Sequence, residues 1–195
     1  LFKAESSSDS LVFPNSTYQR LSAFFFPAAL STAELIWTRM NVAITLGNAP
    51  NVDLLVSSGD GRRSIALQVK TAQSAYRHRR YGTEGYEWHV GSNVIGNHAE
   101  RFWYAFVDLQ AGDNRWDPRV FFVPSRWVAE FVKPDWNPSF YFLPTTAREL
   151  TMERWDIVRG YVSGDEGAIQ WAKARPKELL CEWGSESAQA AAPSG

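Results

Sequence analysis

The chain has 195 residues, 45% apolar and 21% charged, the proportions of a globular protein that buries a core. A net charge of −1 makes no global case for a polyanionic partner. The lone cysteine, Cys181, excludes an internal disulfide framework and fits a reducing, cytoplasmic setting.

The first ten residues, with "ESSSDS", are polar and expected to be loose. "LSAFFFPAAL" (21–30) is the most apolar run. It is far short of the roughly 20 residues that a spanning helix needs, and Pro27 interrupts it, so no membrane segment or export signal is expected. "STAELIWTRM" (31–40) has helical spacing behind Ser31 as an N-cap. "NVAITL" (41–46) alternates as a strand does, and "GNAPN" breaks it.

"VDLLVSS" and "SIALQVKT" flank "GDG", the signature of a two-strand hairpin. A long basic loop, "AQSAYRHRRYGTEG", follows, and then a strand at "YEWHV" (86–90). "RFWYAFVDLQ" (101–110) is a continuous apolar run of strand length, which predicts a central strand buried on both faces. "RVFFV" (119–123) is another buried strand. Pro124 stands where a helix over "SRWVAEFV" can begin. "SFYFLP" (139–144) is β-rich, and "TARELTMERWDIVRGYV" and "DEGAIQWAKA" have helical spacing. From Gly184 the chain is a small-residue tail expected to be disordered. This order predicts an α/β fold: one central mixed sheet with a hairpin, flanked by helices.

Chemistry concentrates in the hairpin. Strand side chains alternate, so Gln68 and Lys70 share a face while Val69 points away. Pairing in the hairpin brings Asp53 alongside. The Asp53 carboxylate, the Gln68 amide oxygen and the Val69 carbonyl then form an oxygen set suited to a hard cation such as Mg²⁺ or Mn²⁺. Lys70 stands where an ammonium can orient water or offset charge building on a phosphate. Around it lies a basic cluster, Arg62, Arg63, Arg77, Arg79 and Arg80, opposed only by Asp60 and read as a phosphate footprint.

Each residue has a plainer reading that stays open. Asp53 can cap a turn after Asn51, Lys70 can snorkel from a strand end, and Gln68 can be a satisfied edge amide. "STAE" matches a capping box, with Glu34 bonding back to Ser31.

The arrangement Asp53-x(14)-Gln68-x-Lys70 on a hairpin, behind a helix bearing Glu34, resembles the PD-(D/E)xK, restriction-endonuclease-like nuclease superfamily in a QxK variant. "FFVPSRWVAEFV" resembles the strand-to-helix step after that core. The resemblance covers roughly residues 30–132. It implies a single domain over 1–183, with a helical part from about 145 and the tail at 184–195. It also implies a metal-dependent nuclease acting on DNA in preference to RNA, with Asp53, Gln68, Lys70 and Glu34 catalytic. Asp53, Gln68, Val69 and Glu34 would hold the metal. A homodimer is compatible with it. The proline of the family pattern stands at Pro50, three positions before Asp53, and an amide replaces the second acid. That neutral ligand keeps alternatives in play: an inactive nucleic-acid-binding module of the same fold, or a protein-interaction domain presenting aromatics.

Other signatures are absent. "GSNVIG" (91–96) lacks the Lys-Ser/Thr of a phosphate loop, no G-x-S-x-G elbow occurs, and His78, His89 and His98 have no zinc spacing. Of the three, His98 is the one candidate to join the site.

Overall fold

The structure is a computed structural model, and it describes residues 40–45, 51–77, 85–91, 94, 96, 98–110, 118–132, 139–142 and 150–174. Among the described residues eight strands form two sheets. β1 (Asn41–Ile44), β2 (Leu54–Ser57), β3 (Ser64–Ala72), β6 (Phe102–Asp108) and β7 (Arg119–Pro124) make a five-stranded sheet in the order β1-β2-β3-β6-β7. β4 (Tyr76–Arg77), β5 (Gly85–His89) and β8 (Ser139–Phe142) make a three-stranded one in the order β4-β5-β8. The helices among the described residues are α1 (Ser125–Phe131), α2 (Trp155–Ser163) and α3 (Glu166–Lys173).

The hairpin forms as its alternation dictates. Leu54, Val56, Ile65 and Leu67 are buried, while Leu55 on the opposite face stays 45% exposed. Its turn is closed by Ser58 N–H donating to the Arg63 carbonyl (3.0 Å) and by Gly61 at φ 71°, a conformation that glycine adopts without penalty. β3 then pairs with β6 in parallel, Gln68 opposite Tyr104 and Lys70 opposite Phe106. All seven residues of β6 are buried: the apolar run Phe102–Val107 as predicted, and Asp108, whose Oδ1 accepts the Ala75 N–H at 2.9 Å.

Two cores account for that burial. Trp103, Ala105 and Val107 of β6 join Leu54, Leu67 and Phe122 under Val158, Tyr161 and Val162 of α2 and Ala168 and Ala172 of α3. Tyr104 and Phe106, on the other face, join Phe121, Val123, Tyr86, Trp88 and, from α1, Trp127 and Val128. Trp88 lies 5.1 Å from both Phe106 and Phe121, and its Nε1–H donates to the Val107 carbonyl at 3.0 Å, so its polar edge is satisfied inside the core.

Two expectations are corrected. The β strands form two sheets, because β5 pairs with β4 and β8 and packs across the second core instead of extending the main sheet. The helix read from Thr146 onward is interrupted: residues 146–149 lie outside the described residues, residues 150–151 form a wide helical turn, and the chain leaves the helix at Met152 before α2 starts at Trp155. Met152 bridges to Phe121, and Glu153, at φ 55°, sends its carboxylate to the Val120 N–H (2.8 Å) and the Trp155 indole N–H (2.7 Å). Pairing with β7 therefore overrides helical propensity there. The helix expected over 31–39 lies outside the described residues.

Candidate active site

β2 begins one residue after Asp53, and that boundary makes the site. Asp53 N–H still donates to the Leu67 carbonyl at 2.8 Å, which sets the hairpin register at its open end. The next outward-facing group on β3, the Val69 N–H, finds no strand to pair with and donates instead to Asp53 Oδ2 at 2.7 Å. The N–H and C=O of one strand residue point to the same side. The Val69 carbonyl is thus aimed to the side where Asp53 sits. Extending the antiparallel register from Leu54↔Leu67 by one step sets Asp53 across from Gln68, on the same face.

Gln68 and Lys70 are half-buried, and neither side chain has a hydrogen bond or ion pair among the described residues. An uncommitted amide and an uncommitted ammonium in partly buried positions are costly to hold, as functional groups often are. Their surroundings explain the electrostatics. Tyr104 and Phe106, opposite them on β6, are essentially buried and stack at 5.5 Å. Against that wall desolvation raises the Asp53 carboxyl above its usual range, opposed by the Val69 N–H and by the Lys70 charge. Desolvation also lowers the Lys70 ammonium, opposed by Asp53. The Tyr104 phenol is pushed up to about 12 by burial alone. Both charges thus cost the fold something where they stand, and a bound cation or phosphate would relieve that cost.

The structure brings Asp53, Gln68, Val69 and Lys70 together as the hairpin pattern implies. Glu34, Arg79 and Arg80 lie outside the described residues. Among the described residues no three His, Cys, Asp or Glu side chains cluster, and Asp53 is the candidate carboxylate that they place at this site. The oxygen donors present fit a weakly held hard cation that keeps most of its waters.

The arginines separate. Arg77 Nε lies 3.2 Å from Glu87 Oε2, and its Nη1 donates to the Ser74 carbonyl at 2.6 Å, so its charge is compensated. Arg62 pairs with Asp60 at 3.6 Å on the open surface, a contact worth little. Arg63 has no such partner among the described residues. His98 is exposed ahead of β6, at the end of the sheet away from Lys70. Sequence reasoning did not single out Tyr104. Residues 73–101 separate β3 from β6, so no local pattern announces that Tyr104 faces Gln68.

No protein-family model and no curated protein matches the chain. Among solved structures it is similar to the bacterial homing endonuclease I-Ssp6803I, with 13% identity and a TM-score of 0.47, over 80% of this chain and 99% of that one. A likeness at that level fixes neither family nor activity.

Proposed function

We propose that this chain is a divalent-metal-dependent nuclease that hydrolyses phosphodiester bonds, with DNA as its substrate. The observation that carries the reading is the uncommitted pair Gln68 and Lys70 on the face of β3 where Asp53 meets Val69. Asp53, the Gln68 amide oxygen and the Val69 carbonyl would hold Mg²⁺ or Mn²⁺, with Glu34 a fourth candidate from the preceding segment. Bound there, the cation would polarise the phosphate and acidify a coordinated water. Lys70, whose proton is loosened by burial, orients that water or offsets charge on the scissile phosphate. The aromatic wall of Tyr104 and Phe106 lowers the local dielectric and strengthens both interactions.

One observation favours a second reading, a nucleic-acid-binding module without hydrolysis. Asp53 Oδ2 already serves the Val69 N–H, which is what a purely structural aspartate would do. Cleavage assays with Mg²⁺ and Mn²⁺ on single-stranded, duplex and branched DNA and on RNA separate the two. Metal-dependent cleavage that disappears in Asp53→Asn and Lys70→Met supports the nuclease. Binding without cleavage under every metal condition supports the module.

A further inference from the structure

A cavity of about 250 Å³ opens between the N-terminal ends of β3 and β6 and the facing sides of α2 and α3. Three cations line it, Arg63, Arg101 and Lys173, against two carboxylates, Glu100 and Glu166. Glu100 is ion-paired, and Glu166 accepts a hydrogen bond from a neutral amide. Lys173 Nζ lies 3.4 Å from Glu100 Oε1, and Gln170 Nε2 donates to Glu166 Oε1 at 2.6 Å. The side chains of Arg63 and Arg101 have neither hydrogen bond nor ion pair among the described residues.

Arg63 is nonetheless positioned. A Cβ on Gly164, the left-handed residue that ends α2, would lie 3.0 Å from Arg63 Cζ and 3.3 Å from Nη1. The guanidinium therefore rests against a bare α-carbon, in a place that only glycine leaves open. Tyr161 forms the floor. It is 7% exposed, and its hydroxyl donates to the Glu100 carbonyl at 3.1 Å. Burial and then Glu100 raise its phenol, while Arg101 and Arg63 pull it back, so both guanidiniums act on one ring.

We propose that this cavity binds a phosphate group, gripped by Arg63 and Arg101. Guanidinium forks match phosphate oxygens two at a time, and a fork left without a carboxylate has that valence free. Ser64 adds a hydroxyl at the same mouth. Ser64 is four residues ahead of Gln68, about 13 Å along the strand at roughly 3.3 Å per residue. The cavity lies under α2 and α3, on the face of the main sheet opposite Gln68 and Tyr104, so a nucleic-acid backbone that also reached Asp53 would pass around the N-terminal end of β3. This backbone source rests on the nuclease reading; the phosphate chemistry of the cavity does not.

The test titrates inorganic phosphate, thymidine 5′-monophosphate and a short DNA duplex into the metal-free parent chain and its variants by calorimetry at low salt. Arg63→Gln and Arg101→Gln should each weaken phosphate binding about tenfold, the loss of one charge-assisted contact. On the duplex each should flatten the log–log salt slope by about 0.9. Arg101→Lys, which keeps the charge and loses the fork, should fall between parent and Gln variant. Arg154→Gln, which removes a cation paired with Asp156 and not lining the cavity, should bind phosphate as the parent does. Phosphate binding that the arginine variants weaken, with an unchanged duplex slope, keeps the cavity and assigns it to a free phosphorylated molecule. Cleavage absent while phosphate binding persists overturns the nuclease reading alone. Parent-like affinity for all three ligands in the Gln variants, or no binding by the parent, overturns the proposal.

Discussion

At Asp53 one oxygen is a structural acceptor, and the proposed chemistry needs the other. Asp53→Asn keeps an acceptor for Val69 N–H and removes the charge, so the circular dichroism spectrum should persist while metal-dependent cleavage falls at least a hundredfold, an effect on the order of 3 kcal/mol in the barrier. Asp53→Ala also strands that N–H and should lose about 1 kcal/mol of stability besides. Equal cleavage by Asn and parent would reduce Asp53 to the structural role. Gln68→Glu adds a charge beside it and should lower the Mg²⁺ concentration for half-maximal cleavage; an unchanged metal titration would remove Gln68 from the site. Lys70 gives a pH test. Its ammonium titrates below the ordinary 10.5 in the folded chain, so between those values the folded state binds fewer protons than the unfolded and stability rises with pH. At neutral pH the charge therefore costs stability. Lys70→Met should melt above the parent at pH 7, with the gap narrowing toward pH 10.5, whereas a Lys70 that merely stabilised the strand end would melt below it.

At the scale of elements, α2 and α3 meet closely enough that one methyl group matters. A Cβ on Gly160 would lie 2.9 Å from the Ala168 Cβ, closer than such atoms approach. Gly160→Ala gains up to about 1 kcal/mol of helix propensity, but overpacking costs typically 1–3 kcal/mol. The net expectation is a lower melting temperature, read by thermal denaturation. The Asp165 carboxylate caps α3 by accepting the Ala168 N–H at 2.8 Å, so the cap bonds the same residue whose Cβ faces Gly160. The C-terminal end of α3 is tied to α1: Arg126 donates to the Ala172 carbonyl at 3.3 Å and also to that of Lys173, and Trp127 Nε1 donates to Ala174 at 2.9 Å. Helices on opposite sides of the main sheet are thus joined around its edge, a link that the Pro124 signal for α1 did not contain.

For the whole molecule, β6 decides stability, since one strand serves two cores. Phe106, fully buried between Trp88 and Tyr104, should cost about 3–5 kcal/mol on replacement by alanine, and denaturant unfolding would measure it. This strand was legible because six consecutive apolar residues, Phe102 to Val107, leave no solvated face. The hairpin was legible too, since Leu54, Val56, Ile65 and Leu67 alternate around a glycine turn. Those local patterns also gave the shared face of Asp53, Gln68 and Lys70. What stayed hidden is non-local. The Tyr104 wall depends on a parallel pairing across residues 73–101, and the commitment of Arg77 to Glu87 depends on β4 meeting β5. The break between the helical turn at residues 150–151 and α2 follows from a bridge to β7 that no helical periodicity records.

The bond from Val69 to Asp53 makes that backbone amide a spectroscopic reporter. Its proton is held by a side chain that titrates and that a cation would recruit, while its neighbours along β3 bond to backbone carbonyls. In a ¹⁵N correlation spectrum the Val69 cross-peak should move as Asp53 takes up a proton, at a pH above the ordinary carboxylate midpoint of 3.8. Added Mg²⁺ should shift it at neutral pH, where the carboxylate is charged, and the shift should vanish in Asp53→Asn. One resonance would then follow protonation and metal occupancy without any substrate being cut.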